Sequence, residues 1–268
     1  MSNVHPSGKI LLNDIHTDAV WRWLEAGWKD FLQRPLLSVF YGLLAVGGGL
    51  GIIVVLIALD RASLVPVAVA SFALLGPFLA MGIYEKSRRL EAGEPVHITD
   101  MLFVRTASPT QIALVSFFLM FAVLVWLRIA MLLYALFAHG QYQPLGDFTT
   151  FALTQPAGIA MLVVGTAIGA VIALAIFSIS ALSFPMMMHR DVDAFTAIAT
   201  SIKSVTAHWQ TMLLWAWLIA VIVAAGIATA FIGLALAFPL LGHATWHAYR
   251  DMVPEVPATD DAAVADPA

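Results

Sequence analysis

Two histidines four positions apart are the residues best placed to do chemistry in this chain. His243 and His247 lie in the segment Gly-His-Ala-Thr-Trp-His. On a helix this spacing puts both imidazoles on one face, where they could jointly ligate a metal ion or a haem iron. Ala244 stands where a zinc metalloprotease helix carries its glutamate base, so that enzyme class lacks its catalytic residue. The alternative is that both histidines simply hydrogen-bond at the membrane surface.

Two further histidines could join this pair. His189 and His243 each follow a proline by four residues, and His208 begins a later apolar segment. We therefore predict a metal site formed by His243, His247 and His189, which His208 could approach, and we identify no cofactor for it. The same imidazoles could instead sense pH or relay protons.

Basic side chains form a second candidate site, for anionic lipid headgroups. Lys86, Arg88 and Arg89 form a short cationic run, and Arg250 is the corresponding cation near the end of the chain. Such cations attract lipid phosphates, although a run of this kind can also do no more than fix the orientation of the protein. Arg128 is different because it interrupts an apolar segment. It could pair with Asp60 or Asp147, or extend to the outer headgroups.

The overall composition requires that these groups be positioned by helices in a membrane. Of 268 residues, 61% are apolar and 11% are charged, and the mean hydropathy is +0.89. Soluble domains carry about 25% charged residues, so a water-soluble fold is excluded. The formal net charge of −4 argues against nucleic acid as a partner, and the absence of cysteine excludes disulfides and thiolate metal sites.

Long segments without Asp, Glu, Lys or Arg define the predicted spans. Each exceeds the roughly 20 residues that cross a bilayer as a helix. The last segment, 204–249, would be about 69 Å long as one helix at about 1.5 Å per residue, so we divide it around Gly226 to Gly233. Six spans result, with five as the alternative, at about 36–59, 62–84, 110–134, 157–184, 210–226 and 227–249. They form one predicted membrane domain, 1–252, followed by an acidic tail, 253–268, that we expect to be disordered.

The distribution of positive charge orients this arrangement. Six spans place eleven lysines and arginines on one side and only Arg61 on the other, with Arg128 inside the third span. Because cytoplasmic loops are enriched in these residues, both termini are predicted to be cytoplasmic.

The spans are also predicted to form a repeated unit. An amphipathic lead-in helix, an outgoing span and a returning span with a proline near its inner end occur about three times. The lead-in helices carry apolar residues at helical spacing, which is typical of a helix lying in the membrane interface. These residues are Trp21, Leu24, Trp28 and Phe31 in the first unit and Phe195, Ile198, Ile202 and Val205 in the third.

Two sequence motifs resemble a known family. Gly76-Pro77 followed by Tyr84-Glu85-Lys86-Ser87-Arg88-Arg89, together with the segment from Phe238 to Asp251, is similar to the bacterial integral-membrane family named domain of unknown function 2189. The resemblance extends over roughly residues 10–253. It implies a bacterial inner-membrane protein without an established activity.

Function follows less directly from the residues. No Ser-His-Asp spacing, carboxylate pair or phosphate loop stands out, so we do not expect an enzyme. Glycine-lined spans and interfacial helices favour a non-catalytic scaffold or accessory component, with the lipid bilayer and other inner-membrane proteins as partners. A transporter or channel for a small solute or ion, or a metal- or haem-binding protein, is the alternative. The glycines concerned are Gly47, Gly48, Gly49, Gly51, Gly165 and Gly169.

Overall fold

The protein is helical throughout the part that can be described. The computed structural model describes residues 12–61, 64–138 and 145–254, and these residues contain helices and connecting turns but no β-strand. The predicted all-α class is therefore confirmed. From residue 255 onward, the predicted acidic tail lies outside the described residues. The helices are α1 Ala19–Leu32, α2 Pro35–Ala58, α3 Val65–Leu74, α4 Gly76–Leu79, α5 Met81–Glu91, α6 Ile98–Leu102, α7 Pro109–Phe137, α8 Leu145–Thr154, α9 Pro156–Ser180, α10 Ser183–His189, α11 Ala194–Ala207, α12 Trp209–Ala228 and α13 Leu234–Met252.

Among the described residues, four helical segments are long and apolar enough to cross a membrane. They are Pro35–Ala58, Pro109–Phe137, Pro156–His189 and Trp209–Ala228. The first three begin with proline, whose missing N–H has no helical partner at that position in any helix. These segments correspond to the first, third, fourth and fifth predicted spans.

The second predicted span is not one continuous helix. Its ten-residue apolar part, α3, ends at Leu74, and two further breaks at Leu75 and Ala80 flank the short helix α4. Pro77 removes one backbone donor here and disfavours helical geometry at the residue before it. An unbroken apolar helix of span length is therefore not present at this position.

The apolar part of the sixth predicted span is also shorter than expected. The chain turns between Ala228 and Leu234, within the predicted range, through left-handed backbone at Ala230 and Phe231. The returning helix α13 has 19 residues, but its second half carries His243, His247 and Arg250. The structure thus shows four candidate spans.

Most buried side chains lie at one end of the helices. We call this region the basal core; it gathers α1, α5, α10, α11 and α13 around the first turns of α7 and α12. Trp23 of α1 meets the edge of Trp215 with the ring centroids 5.8 Å apart. The largest fully buried side chains of the basal core include Trp23, Tyr249, Trp215, Trp246, Phe184, Met186 and Met187.

The candidate spans, in contrast, bury little of their surface. Within the most apolar 18-residue stretch of each span, only 6% to 28% of the stretch is buried inside the protein. The remaining apolar surface requires a hydrocarbon environment, because exposing apolar faces of this extent to water is energetically unfavourable. Buried contacts are therefore concentrated in the basal core, and the spans extend from it.

Both lead-in helices leave large apolar side chains exposed on their outer face. Helix α11 buries Ala197 and Ser201 against the core, whereas Phe195 is 76% exposed. Helix α1 likewise leaves Trp21 and Trp28 exposed, although Phe31, expected on the same face, is buried. Exposed aromatic residues on helices of this kind are suited to the membrane interface.

Of the predicted glycines, Gly169 lies against Trp126, where a Cβ would be 3.1 Å from the ring, but the closest backbone contacts occur at other glycines. A Cβ at Gly27 would lie 2.6 Å from the backbone nitrogen of Ala244, and one at Gly42 would lie 2.2 Å from the carbonyl oxygen of Ala235. At Gly47, Gly48 and Gly51, a Cβ would meet nothing within 4 Å in the described part of the chain. Helix α13 thus approaches α1 and the start of α2 backbone to backbone, while the middle of α2 has free space around it.

Candidate functional site: a buried polar cluster

The two histidines of α13 lie on adjoining turns but have different surroundings. The side chain of His243 is completely buried between α2, α5 and α13, whereas that of His247 is 25% exposed. Both belong to what we call the buried polar cluster. Its members are Asp30 of α1, Ser38 of α2, Lys86 and Ser87 of α5, and His243 and His247 of α13.

The hydrogen bonds around His243 run in one direction. The Lys86 ammonium can only donate, so it donates to Ser38 Oγ at 2.7 Å. The Ser38 hydroxyl then donates to Nε2 of His243 at 3.0 Å. This order assigns the imidazole proton to Nδ1, which donates to Ser87 Oγ at 2.7 Å. Both ring nitrogens of His243 are therefore engaged by serine hydroxyls.

The chain of donors ends at the carboxylate of Asp30. Nε2 of His247 lies 2.9 Å from Asp30 Oδ2, and the Ser87 hydroxyl also donates to this carboxylate. Burial alone would raise the pKa of Asp30, but the hydrogen bonds from His247 and Ser87 outweigh burial and hold the pKa below its usual value. Asp30 is thus an ionised acceptor at neutral pH.

Lys86 is held by the junction between α1 and α2. Its Nζ donates to the carbonyl oxygens of Asp30 at 3.1 Å and of Arg34 at 3.4 Å. Arg34 adopts a left-handed conformation, with φ of 55°, and this bend turns the chain from α1 into α2 so that both carbonyls face the amine. Burial lowers the pKa of Lys86 to about 8, although the charge of Asp30 opposes this shift.

The other predicted histidine ligands lie elsewhere. Nδ1 of His189 is 3.1 Å from the Tyr249 hydroxyl, and its ring packs against Trp246. Nε2 of His208 lies 3.6 Å from a carboxylate oxygen of Asp14, in the segment that precedes α1. Across the part of the chain that the structure describes, no group of three or more His, Cys, Asp or Glu side chains is placed to hold a metal ion. Metal binding by His243, His247 and His189 stays a prediction.

The predicted headgroup cations are all engaged by protein groups. Lys86 is completely buried, as described above. Arg88 and Arg89 both contact Glu85, whose side chain is 3% exposed, at 2.8 Å and 2.7 Å. Arg250 pairs with Glu91 at 2.9 Å, and Glu91 also accepts a hydrogen bond from Trp246. Contact of these cations with lipid stays a prediction, and Lys86 is the member least suited to it.

Arg128 lies within α7, nine residues before that helix ends at Phe137. Its side chain is exposed on α7, and no ion pair with Asp60 or Asp147 is present among the described residues. This arrangement is compatible with the arginine extending to the headgroup region.

The buried polar cluster has the geometry of a structural junction. It connects α1, α2, α5 and α13, and five of its six members are buried, so a substrate has no direct access to them. Buried polar networks of this type stabilise one helix arrangement because each unpaired member would be costly. Sequence reasoning missed Asp30, Ser38 and Ser87. The signal available was the position of Asp30 on the α1 face that also carries Trp23 and Gly27.

Comparison with known proteins supports the membrane assignment. Residues 64–189 match the sequence model of the family described as Predicted integral membrane protein (DUF2189). The match confirms the family resemblance from α3 to α10, whereas the segment from Phe238 to Asp251 lies outside it. No curated protein and no solved structure matches the chain. With its several apolar helices, the chain is an integral membrane protein and lies in a lipid bilayer.

Proposed function

We propose that this integral membrane protein is a non-catalytic component of the bacterial inner membrane that scaffolds or assists another membrane complex. The observation that carries the proposal is the closed basal core. Its titratable groups are paired with one another inside the chain, while large apolar surfaces face outward. An enzyme would instead expose convergent polar groups in a cavity.

The proposed topology has six spans and cytoplasmic termini. Support comes from the pairing of an outgoing and a returning segment in each unit: α2 with α3 to α5, α7 with α9 and α10, and α12 with α13. The basal core would then lie on the cytoplasmic side, to which this topology assigns eleven of the thirteen lysines and arginines. Residues 1–252 would form one membrane domain.

Partner capture tests the proposal directly. We would purify the tagged chain at its natural expression level in a mild detergent and measure the same membranes after deletion of the chain. A scaffold predicts at least one co-purifying membrane protein whose abundance falls on deletion. Isolation of the chain alone, with an unchanged membrane proteome after deletion, would contradict the proposal.

Cross-linking would locate the contact. Because the chain has no cysteine, a single cysteine can carry a photo-activated cross-linker. Phe103 is 78% exposed and lies outside the four candidate spans, whereas Met101, two residues earlier, is 1% exposed. We expect Phe103→Cys to reach the partner and Met101→Cys to serve as the matched buried control.

A transporter or channel receives less support from the structure. The hydroxyl groups of Ser71, Ser178 and Ser180 each donate to a carbonyl four residues earlier in their own helix, at 2.7 to 2.8 Å. Hydroxyls bonded in this way do not offer a polar path to a solute. Flux across a panel of ions and metabolites in proteoliposomes should stay at background.

Metal or haem binding is the second alternative and has a separate test. The metal and haem content of the purified protein would be compared with that of a His243→Ala/His247→Ala variant. Stoichiometric metal or haem that is lost in the variant would establish the site. Because both nitrogens of His243 already face serine hydroxyls, we expect no such loss.

A further inference from the structure

A long cavity runs between the membrane-embedded helices above the basal core. Its volume is about 640 Å³, and its walls come from α2, α3, α9, α12 and α13. Its lining includes Phe72, Phe177 and Trp217. The lining contains no Asp, Glu, Lys, Arg or His.

We propose that this cavity binds an acyl chain of a bilayer phospholipid. The proposal is independent of the scaffold function, since the cavity does not include the buried polar cluster or Phe103. Each step of the case rests on the chemistry or the shape of the walls.

The walls offer an occupant almost no hydrogen bonds. Of the three hydroxyl groups in the lining, those of Ser180 and Thr245 donate to the carbonyls of Ile176 and Leu241 in their own helices, at 2.7 and 2.8 Å. The third belongs to Tyr84, which is only 2% exposed. A polar ligand would lose its hydration without replacement partners. The chemistry of the cavity therefore selects hydrocarbon.

The shape of the cavity favours an alkyl chain over a helix. Along α12 the lining extends from Leu213 to Ile227, which is about 21 Å at about 1.5 Å per residue. A volume of about 640 Å³ distributed over that length leaves a mean width of about 6 Å for the centre of a water-sized sphere, which is about 9 Å between the walls. An α-helix with side chains is about 10–12 Å wide. A transmembrane helix of another protein is thus too wide, whereas a single acyl chain fits.

The cavity lies where lipid acyl chains are present. Its walls belong to segments without charged residues, at the depth of the bilayer core, and it is partly open between the helices. An acyl chain crosses one leaflet, about half of the roughly 30 Å hydrocarbon core, and so fits within the about 21 Å of the lining. The basal core closes the inner end with Tyr84 and Leu241.

Packing, and not the hydrophobic effect, would hold the acyl chain in the cavity. Lipid tails are as apolar as the cavity wall, so transfer from the bilayer gains little from burial. Contact with aromatic rings on several sides supplies dispersion attraction instead. We therefore expect occupancy that depends on the free width of the cavity.

The test uses a phosphatidylcholine with a photo-activated diazirine at the end of one acyl chain. The protein is reconstituted in phosphatidylcholine vesicles containing this lipid, irradiated and mapped by peptide mass spectrometry. Ala216 and Ala220 of α12 line the cavity, and Val221, which is 43% exposed, does not. Bound acyl chains predict adducts at Ala216 and Ala220, with those at Val221 reporting ordinary boundary lipid.

Two variants on the opposite walls separate cavity binding from surface contact. Gly49→Phe/Ala173→Phe fills the cavity, because both residues line it. Gly51→Phe/Ala175→Phe makes the same changes on the same helices at positions that do not line it. We expect at least a fivefold loss of adducts at Ala216 and Ala220 in the first variant and none in the second, with Val221 unchanged in both.

Three results would overturn the proposal. One is the absence of adducts at Ala216 and Ala220 in the wild-type protein, which needs no variant to fold. Another is equal labelling of these residues in the two variants. The third is cross-linking of Ala216→Cys between two copies of the chain, since the occupant would then be a second copy.

Discussion

At the scale of single residues, the most informative side chain is Lys86. It belongs to a short run with Arg88 and Arg89, and a cationic run is ordinarily found at a solvated surface. Here the amine points inward and donates to Ser38 and to the carbonyl oxygens at the end of α1. The position of one ammonium group thus links the first helix junction to α5.

The buried amine predicts an unusual dependence of stability on pH. Below pH about 8, Lys86 is protonated in the folded and the unfolded protein, so the cost of burying its charge is fully present. Between about 8 and 10.5, the unfolded chain keeps the proton that the folded protein releases, and the stability contributed by Lys86 rises with pH. We expect the Tm of the wild type to increase relative to that of Lys86→Met over this range.

A matched surface variant provides the control. Lys203 is exposed on α11, so the Tm difference between wild type and Lys203→Met should be independent of pH. A Lys86→Met difference that is equally flat would show that the amine is not buried as a cation.

The two histidines of α13 should differ in their importance for stability. His243→Ala removes one hydrogen-bond partner from each of the buried hydroxyls of Ser38 and Ser87 and opens a cavity, so we expect a loss of about 3 kcal/mol. His247→Ala removes one partner of Asp30 at a partly exposed position, and about 1 kcal/mol is expected. Unfolding of both variants in the same detergent measures the difference. Equal losses would contradict the assigned roles.

The buried polar cluster marks the limit of what sequence reasoning could find. His243 and His247 were identifiable because their spacing is local, but the serines that bind His243 come from helices 205 and 156 positions away. Periodicity shows which face of a helix is apolar and does not show which element covers it. The charge-free spans, by contrast, depend on composition alone, and four of them are present as candidate spans.

At the scale of helices, α13 is the element on which the others assemble. It contacts α1, α2, α5 and α12, and each of these contacts includes a glycine: Gly27, Gly42, Gly242 and Gly226, respectively. The predicted glycines were wrong in the middle of α2, where a Cβ at Gly47, Gly48 or Gly51 has no close neighbour. Composition draws attention to a run of glycines, yet the isolated residues Gly27 and Gly42 permit the close contacts.

Alanine substitutions on α2 should separate these two kinds of glycine. Gly42→Ala places a methyl group against the Ala235 carbonyl, and the helix shift needed to relieve this clash should cost about 1–3 kcal/mol. Gly47→Ala meets open space on the same helix and should cause no loss, since alanine is the better helix former. Thermal unfolding of the pair measures the difference, and the prediction fails if Gly47→Ala is as harmful as Gly42→Ala.

At the scale of the whole molecule, the number of crossings determines which side each surface faces. Four candidate spans alone would place the loop after α5 outside the cell and the turn between α12 and α13 inside. Six spans reverse both positions. Because the chain has no cysteine, single-cysteine labelling can distinguish the two topologies.

The six-span topology predicts a specific labelling pattern. With a membrane-impermeant maleimide added to intact cells, Arg61→Cys and Ile232→Cys should react, whereas Glu94→Cys should react only after permeabilisation. All three positions lie outside the helices, and Ile232 is 75% exposed. Labelling at Glu94→Cys but not at Ile232→Cys in intact cells would establish four crossings instead.

The contact between α1 and α13 has a consequence for how the protein is made. Trp23 donates to the carboxylate of Asp251, and these residues are 228 positions apart. At a synthesis rate of about 5–20 residues per second, α1 leaves the ribosome about 10–45 s before its partner helix exists. During that interval its apolar face, with Val20 and Trp23, has no protein surface to cover it. Until α13 has been synthesised, the apolar face of α1 must therefore bind the lipid surface or a chaperone. Translation pauses before residue 252 would prolong this exposure.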